Sequence, residues 1–513
     1  MDFPLSGYRN NADDYEDSPW AKKTVLAFDG GGIRGYSSLL VLKCLMTEIR
    51  KIEQQYDRGI QSSKAYPWRT RQTPPTDVPA SETAPADEAA PANEKTSAGE
   101  ATPADETAPA DEPDLNRFLP CHYFDYIAGT STGGLSAIML GRLRMSVDEA
   151  LKQYTVFGNE IFGRPRWWHE RTVPLWYPRA KYSTRKTREA FKKIIKDSLK
   201  MGNNGQPDVE PFKYREDRTR TIVFSWVISD GVMANYIWRT FDHEEDKETD
   251  KEDKEAGRYL AEHITPSAAH TAPIWQVARA TSAAPTFFES IQIGDDEHAD
   301  GAMFANNPSY LAVREIHRKH RCAPELFISI GCGLVPTDEG TRSSGNRKNE
   351  VDTRGRFHWV RNKVRMGRGL GNYILDPERS KTKWEEECRK IGVPHGYRLN
   401  VAGDLYSVGL DEWLPSTSGH ETVEKIKHET DKYLSENIDD ITRMARVLVD
   451  IRRERSRTVR WESFALDTFY RCRPCGLRFG TRRDFKKHVK HSGKHEDIHE
   501  NERERFLNEG RQG

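Results

Sequence analysis

The chain has no run of about eighteen apolar residues, and so no stretch that reads as a membrane-spanning helix. Its first twenty residues, MDFPLSGYRNNADDYEDSPW, have no apolar core of the kind a secretory signal needs, and read as a disordered leader. An excess of one charge is missing too. Lys plus Arg number 79 and Asp plus Glu 79, so any attraction to nucleic acid or a membrane has to be local. Cysteine is sparse. Seven are scattered along the chain and only Cys472 and Cys475 lie close together, which excludes a disulfide framework and points to a reducing, cytoplasmic setting. Between residues 62 and 114 large apolar side chains are nearly absent; Pro, Ala, Thr, Glu and Asp dominate, and ETAPADE occurs twice. Such a segment cannot offset its ordering entropy and reads as a disordered acidic insert. The remainder of the 513 residues is ample for a large core.

What is present begins with KTVLAFDGGGIRGYS, from Lys23 to Ser37. Thr24 to Phe28 is a short apolar, β-prone run that stops at Asp29, and three glycines precede a helical pattern through Leu39, Leu42, Leu45, Met46 and Ile49. Glycines let backbone N–H groups approach a negative charge, and a helix N-terminus favours the same charge. Gly30, Gly32 and Gly35 fit the dinucleotide pattern G-x-G-x-x-G, but that reading needs a second strand with an acidic residue about 20 residues on. The helical pattern and then the acidic insert occupy that place. A different anion is required.

Order returns at Phe118. Phe124 to Ala128 reads as a buried strand, GTSTGG as a tight turn, and Leu135, Ile138, Met139 and Leu143 as one face of a helix. Further strands are expected at 221–229, 287–294, 326–331 and 397–401, with helices around 191–199, 273–285 and 421–436. Alternating strands and helices predict an α/β fold, with a mostly parallel central sheet and helices on both faces. Residues 342–368 carry nine Lys or Arg against Glu350 and Asp352, a basic surface loop or a patch for anionic lipid.

Gly129-Thr130-Ser131-Thr132-Gly133 is a G-x-S-x-G pentapeptide between a predicted strand and a predicted helix, the setting in which a sharp turn exposes a serine Oγ. The alternative is a glycine-rich turn whose serine only caps the helix. A serine nucleophile needs a base and donors for an oxyanion. The loop from Gly30 to Gly32 can supply the donors. For the base, His317, His320, His358 and His395 lie downstream, and Asp300 in HADGAMFANNP is the best-placed carboxylate, although Asp-Gly is also a common turn pair.

Taken together, DGGGIRG, GTSTGG and DGAMFANNP resemble the patatin-like phospholipase family, as does ARATSAAPTFF before the third motif. The resemblance implies that Ser131 is the nucleophile and Asp300 its partner in a dyad without histidine. It implies that Gly30, Gly31 and Gly32 form the oxyanion hole with Arg34 beside them, and that no cofactor takes part in catalysis. The implied substrate is a phospholipid or other acyl lipid, met at a peripheral membrane surface. This chain reads DGA where many members read DGG. The aromatic group Phe162, Trp167, Trp168, Leu175, Trp176 and Tyr177 suits core or lid packing, or interfacial anchoring. The other class of reading is a catalytically silent lipid- or nucleic-acid-binding adaptor.

At the C-terminus, Cys472-x2-Cys475-x12-His488 with Phe479 and Phe485 resembles a small ββα C2H2 finger binding structural zinc. His491 follows after two residues and His495 after six, and His495 is preferred as the fourth ligand. Nine Lys or Arg against Asp484 between 471 and 495 leave nucleic acid and protein open as partners. The organisation expected is a leader over 1–20, a hydrolase domain over 21–456 interrupted by the insert at 62–114, a linker over 457–469, a finger over 470–499 and a charged tail over 500–513.

Overall fold

The computed structural model describes residues 18–65, 113–166, 180–202, 205–229, 232–243, 266–334, 377–466, 468–479, 482–491 and 506–512. The basic stretch 342–368, most of the leader and insert, five members of the aromatic group (Trp167, Trp168, Leu175, Trp176 and Tyr177), His358 and His495 lie outside them.

β1 (Thr24–Phe28) leads through the glycine loop into α1 (Gly35–Tyr56). β2 (Tyr126–Thr130) leads into α2 (Thr132–Ala137), which continues as a π-helical turn over Ile138–Arg142. α3 (Val147–Phe157) ends in a second π-turn, Gly158–Phe162. Next come α4 (Thr184–Ser198), β3 (Arg220–Ser229), β4 (Val232–Arg239), α5 (Ile274–Thr281), β5 (Ile291–Ile293) and β6 (Asp296–Asp300). α6 (Ser309–His320), β7 (Leu326–Ile330), α7 (Pro377–Ile391), β8 (His395–Leu399), α8 (His420–Glu436), α9 (Ile438–Arg455) and α10 (Arg460–Ala465) complete the large unit.

The sheet is mixed and mostly parallel, as expected. β3, β2, β1, β7 and β8 run parallel in that order, and β4 and β6 pair antiparallel with β3. Alternate residues of β1 serve two cores: Leu26 and Phe28 join the larger one with α1, α3, α8 and α9, while Val25 and Ala27 join α6 and α7 on the other face. The strand expected over 287–294 is instead a hairpin, β5 and β6, so Asp300 is the last residue of a strand rather than a residue following one.

β3 decides where the site lies. Along one edge it pairs parallel with β2 through Phe224 opposite Thr130, and antiparallel with β6 from Ser225 opposite Asp300. Because β2 and β6 approach from opposite directions, their C-terminal ends meet on β3. The chain leaving β2 is Ser131. On the other side of β2, Gly129 pairs with Phe28, which sets the glycine loop beside the same point, at the C-terminal ends of parallel strands.

The insert leaves and returns at one place. Ser63 N–H donates to Arg117 O at 3.1 Å, Arg452 donates to Ser63 O and Ala65 O, and Arg50 donates to Pro113 O. Part of the expected linker is the helix α10, whose Trp461 and Phe464 are buried against Trp20, itself placed in the leader by the sequence. The small C-terminal sheet joins β9 (Phe469–Arg471), β10 (Arg478–Phe479) and β11 (Arg511–Gln512), with α11 (Arg482–His491) packed on it. Leu507 belongs to its core beside Phe485, so the expected charged tail supplies both a strand and a core residue.

Candidate active site

Ser131 sits at the sharp turn between β2 and α2 with φ 55° and ψ −125°, a conformation an L-residue adopts only under strain. Its surroundings hold it there. Ser131 N–H donates to Thr281 Oγ1 at 2.8 Å, and Thr281 Oγ1 donates to Phe224 O at 2.6 Å. A Cβ at Gly133 would lie 2.4 Å from Phe28 O, so the turn can close against β1 only with glycine there. Ser131 Oγ donates to Asp300 Oδ2 at 2.6 Å, and Asp300 Oδ1 accepts from Ala302 N–H at 2.8 Å. Both side chains are buried. Burial pushes the Asp300 carboxyl up to about 7, against the opposing pull of those two hydrogen bonds.

Three of the four histidines considered from sequence lie elsewhere. His320 pairs with Tyr126, His317 with Cys322 O, and His395 stands near Glu325. Among the described residues none is bonded to Ser131 or Asp300.

The glycine loop divides its labour. Gly30 N–H is spent on Asn306 O at 2.9 Å, and the buried Arg34 guanidinium reaches the carbonyls of Gly31 and Tyr406. The Gly30 N–H and these two Arg34 nitrogens hold the loop. The Gly31 carbonyl is also taken by Arg34 N–H, and the Gly32 carbonyl by Tyr154 Oη at 2.5 Å. Among the described residues the N–H groups of Gly31 and Gly32 donate to no protein atom, and both residues line a cavity of about 250 Å³ with Ser131 and Asp300. Gly32 has φ +59° and a Cβ there would fall 2.0 Å from Leu410 O, so this position admits only glycine. Phe157, Phe162, Pro285, Phe287 and Phe288 make the cavity mostly apolar.

Comparison with known proteins reads the same region. The family model "Patatin-like phospholipase" matches residues 114–313, which include Ser131 and Asp300. This chain carries a patatin-like phospholipase domain. It is 27% identical over 222 residues to calcium-independent phospholipase A2-gamma of Homo sapiens, covering 43% of this chain and 25% of that protein. Over 249 residues it is 26% identical to phospholipase A I of Arabidopsis thaliana, covering 42% of this chain and 19% of that protein. It is 23% identical over 344 residues to the 85/88 kDa calcium-independent phospholipase A2 of Rattus norvegicus, covering 64% and 36%. The chain thus spans about a quarter of the length of the first relatives it matches.

Around the patatin-like core, three supports had no sequence signal. Asp29, which opens the glycine loop, is buried and accepts from both terminal nitrogens of Arg398 at 2.9 and 2.6 Å, and Arg398 comes from β8 far along the chain. Leu410 O accepts from Ile33 N–H at 2.8 Å, and Asp411 at the cavity edge accepts from Tyr182 Oη and Lys181 Nζ. Tyr154 reaches in from α3. Thr281, by contrast, belongs to ARATSAAP, and Ala283 O of the same stretch accepts from Asp300 N–H. That motif therefore holds the backbones of both Ser131 and Asp300.

Apart from this site, Cys472, Cys475 and His488 bring their ligand atoms within 4.8 Å of one another, with Cys475 Sγ 3.3 Å from His488 Nε2. Two thiols and an imidazole at that spacing fit three corners of a tetrahedral zinc site. The preferred fourth ligand, His495, is outside the described residues. Among the described residues no helix is long and apolar enough to cross a membrane.

Proposed function

We propose that the chain is a lipid acyl hydrolase that cleaves fatty-acyl esters of phospholipids through Ser131 and Asp300. The observation that carries this reading is the 2.6 Å hydrogen bond from Ser131 Oγ to Asp300 at the floor of an apolar cavity that Gly31 and Gly32 also line. A carboxyl near 7 is a useful base at neutral pH, where general-base catalysis contributes about 10²–10⁴-fold. Asp300 takes the Ser131 proton as Oγ attacks the ester carbonyl. Charge gathers on the carbonyl oxygen and is received by the Gly31 and Gly32 N–H groups, each such donor being worth about 10²–10³ in rate. Collapse expels the alcohol, which leaves with the proton held by Asp300. Water, deprotonated by Asp300, then attacks the acyl-serine, and Asp300 returns that proton to Ser131 Oγ as the fatty acid leaves. None of these steps draws on a metal, and two of the relatives are named calcium-independent. A silent adaptor would have no use for a strained serine and a carboxyl held against it.

Fatty-acid release from mixed phospholipid vesicles tests the reading. Wild type should release acid, and Ser131→Ala and Asp300→Asn should each lose at least about a hundredfold. Equal release by all three ends the hydrolase proposal.

Exposed Tyr406 and Leu414 flank the Leu410–Asp411 rim and support contact with a peripheral membrane surface from the cytoplasm. For the C-terminal module we propose a structural zinc held by Cys472, Cys475, His488 and His495. It would fix the turn between β9 and β10 to α11, whose exposed Arg483, Lys486, Lys487 and Lys490 suit an anionic partner such as nucleic acid, or an acidic protein. Metal analysis of the full chain should find about one zinc, lowered by His495→Ala and unchanged by His491→Ala. Loss in the His491 variant alone would move the fourth ligand there.

A further inference from the structure

The nucleophile cavity has a neighbour. Thr132, Leu135, Phe157 and Phe162 line it, and the same four residues line a second cavity of about 40 Å³ whose far wall includes Met139, Phe191, Ile194 and Ala278. The partition between them is aromatic: Phe157 stacks on Phe191 at 5.1 Å and meets Phe162 edge-on at 5.8 Å. Almost nothing polar faces the second space, so water gains little there and an apolar group can take its place. Both π-turns border it, one through Ile138 and Met139 and the other through Phe162. π-turns are rare and are frequent at functional sites.

We propose that the second cavity is the blind end of the acyl site. The tail of a long, unbranched acyl chain esterified at Ser131 parts the edge-on contact of Phe157 and Phe162, passes it, and ends against Ala278 and Ile194. Chain-length preference is then set by Ile194 on α4 and Ala278 on α5. The ligand class rests on the hydrolase reading; the slot itself is tested without turnover.

Full-length Ser131→Ala protein is titrated calorimetrically with linear fatty acids from octanoate to palmitate, each below its micelle concentration. Affinity should rise about fourfold per methylene and then level off where the slot is full. Adding Ala278→Leu or Ile194→Phe, from two different helices, should move that plateau to a shorter acid. A rise with no plateau, no gain beyond octanoate, or an unmoved plateau in a folded wall variant overturns the slot. Should both wall variants fail to fold, the presence or absence of the plateau in the parent decides alone. In the second arm, Ser131 is intact and nitrophenyl esters of the same lengths are the substrates. The long-to-short ratio of kcat/KM should fall at least about tenfold in the wall variants. Ester turnover with an unchanged ratio sinks the slot and leaves the hydrolase standing. A plateau that moves in a protein that cleaves no ester does the reverse.

Discussion

In the proposed mechanism Asp300 must be buried enough to be a base near neutrality and yet be ionised to act as one. Desolvation carries its carboxyl from an ordinary value of 3.8 to about 7. Activity should therefore fall about tenfold per unit as the pH drops below 7, because protonated Asp300 cannot accept the Ser131 proton. The same shift fixes a stability effect of definite sign. Between about pH 4 and 7 the folded state holds a proton that the unfolded chain has released, so the stabilisation this proton provides is complete below pH 4 and lost as the pH rises through 7. Above 7 the buried charge costs about 4 kcal/mol, three pH units at 1.36 kcal/mol each. Asp300→Asn keeps the shape and removes the charge. Urea midpoints should show the variant more stable than wild type at pH 8, with the gap closing toward pH 4, while its activity is low throughout. A gap that widens on acidification would contradict the burial argument. Ser131, Asp300 and the glycines were legible because each stands in a short motif with a chemical reason. The commitment of Gly30 and Arg34 to holding the loop was not, since it depends on Asn306 and Tyr406, distant in sequence.

At the scale of elements, the glycine loop is kept in place by its neighbours rather than by its own sequence. The Asp29–Arg398 pair ties the loop to β8, and Arg398 also donates to Ser329 Oγ on β7 at 2.8 Å. Guanidinium geometry matters here because two nitrogens meet two oxygens. Arg398→Lys keeps the charge and loses the fork. Its kcat should drop about tenfold or more with KM little changed, since the Gly31 and Gly32 donors matter most in the transition state. Arg398→Gln takes the guanidinium away from a buried carboxylate and should cost about 3–5 kcal/mol, part of it recovered when Asp29→Asn is added. Kinetics and denaturant titrations of the three variants separate positioning from simple unfolding. The apolar runs of β1, β3 and β7 made these strands readable, whereas β6, DEHAD, carries no apolar pattern and exists through its pairing with β3. α9 was missed for a similar reason: its buried Ile441, Met444, Leu448 and Val449 are diluted by acids and arginines.

Across the whole molecule, the acidic insert separates the glycine loop from Ser131 in sequence and not in space. β1 and β2 are neighbours in the sheet, and the chain on either side of the insert is joined at Ser63 and Arg117. The C-terminal helices guard that junction. Arg452 is buried, meets Glu53 on α1, and donates to the carbonyls of Ser63 and Ala65. Closing the loop is thus done by the folded core, and the entropy of closing it changes by about 0.6 kcal/mol for each doubling of length. Replacing residues 66–112 by a Gly-Ser linker of about eight residues shortens the loop by between two and three doublings and should stabilise the protein by about 1–2 kcal/mol. Ester turnover should stay within about twofold of wild type, because the described residues that line the Ser131 cavity all come from elements outside the insert. Thermal melts and ester kinetics of the shortened chain check both. A large loss of turnover with an intact melt would mean that the insert reaches the site, and a collapsed melt would mean that it holds the fold.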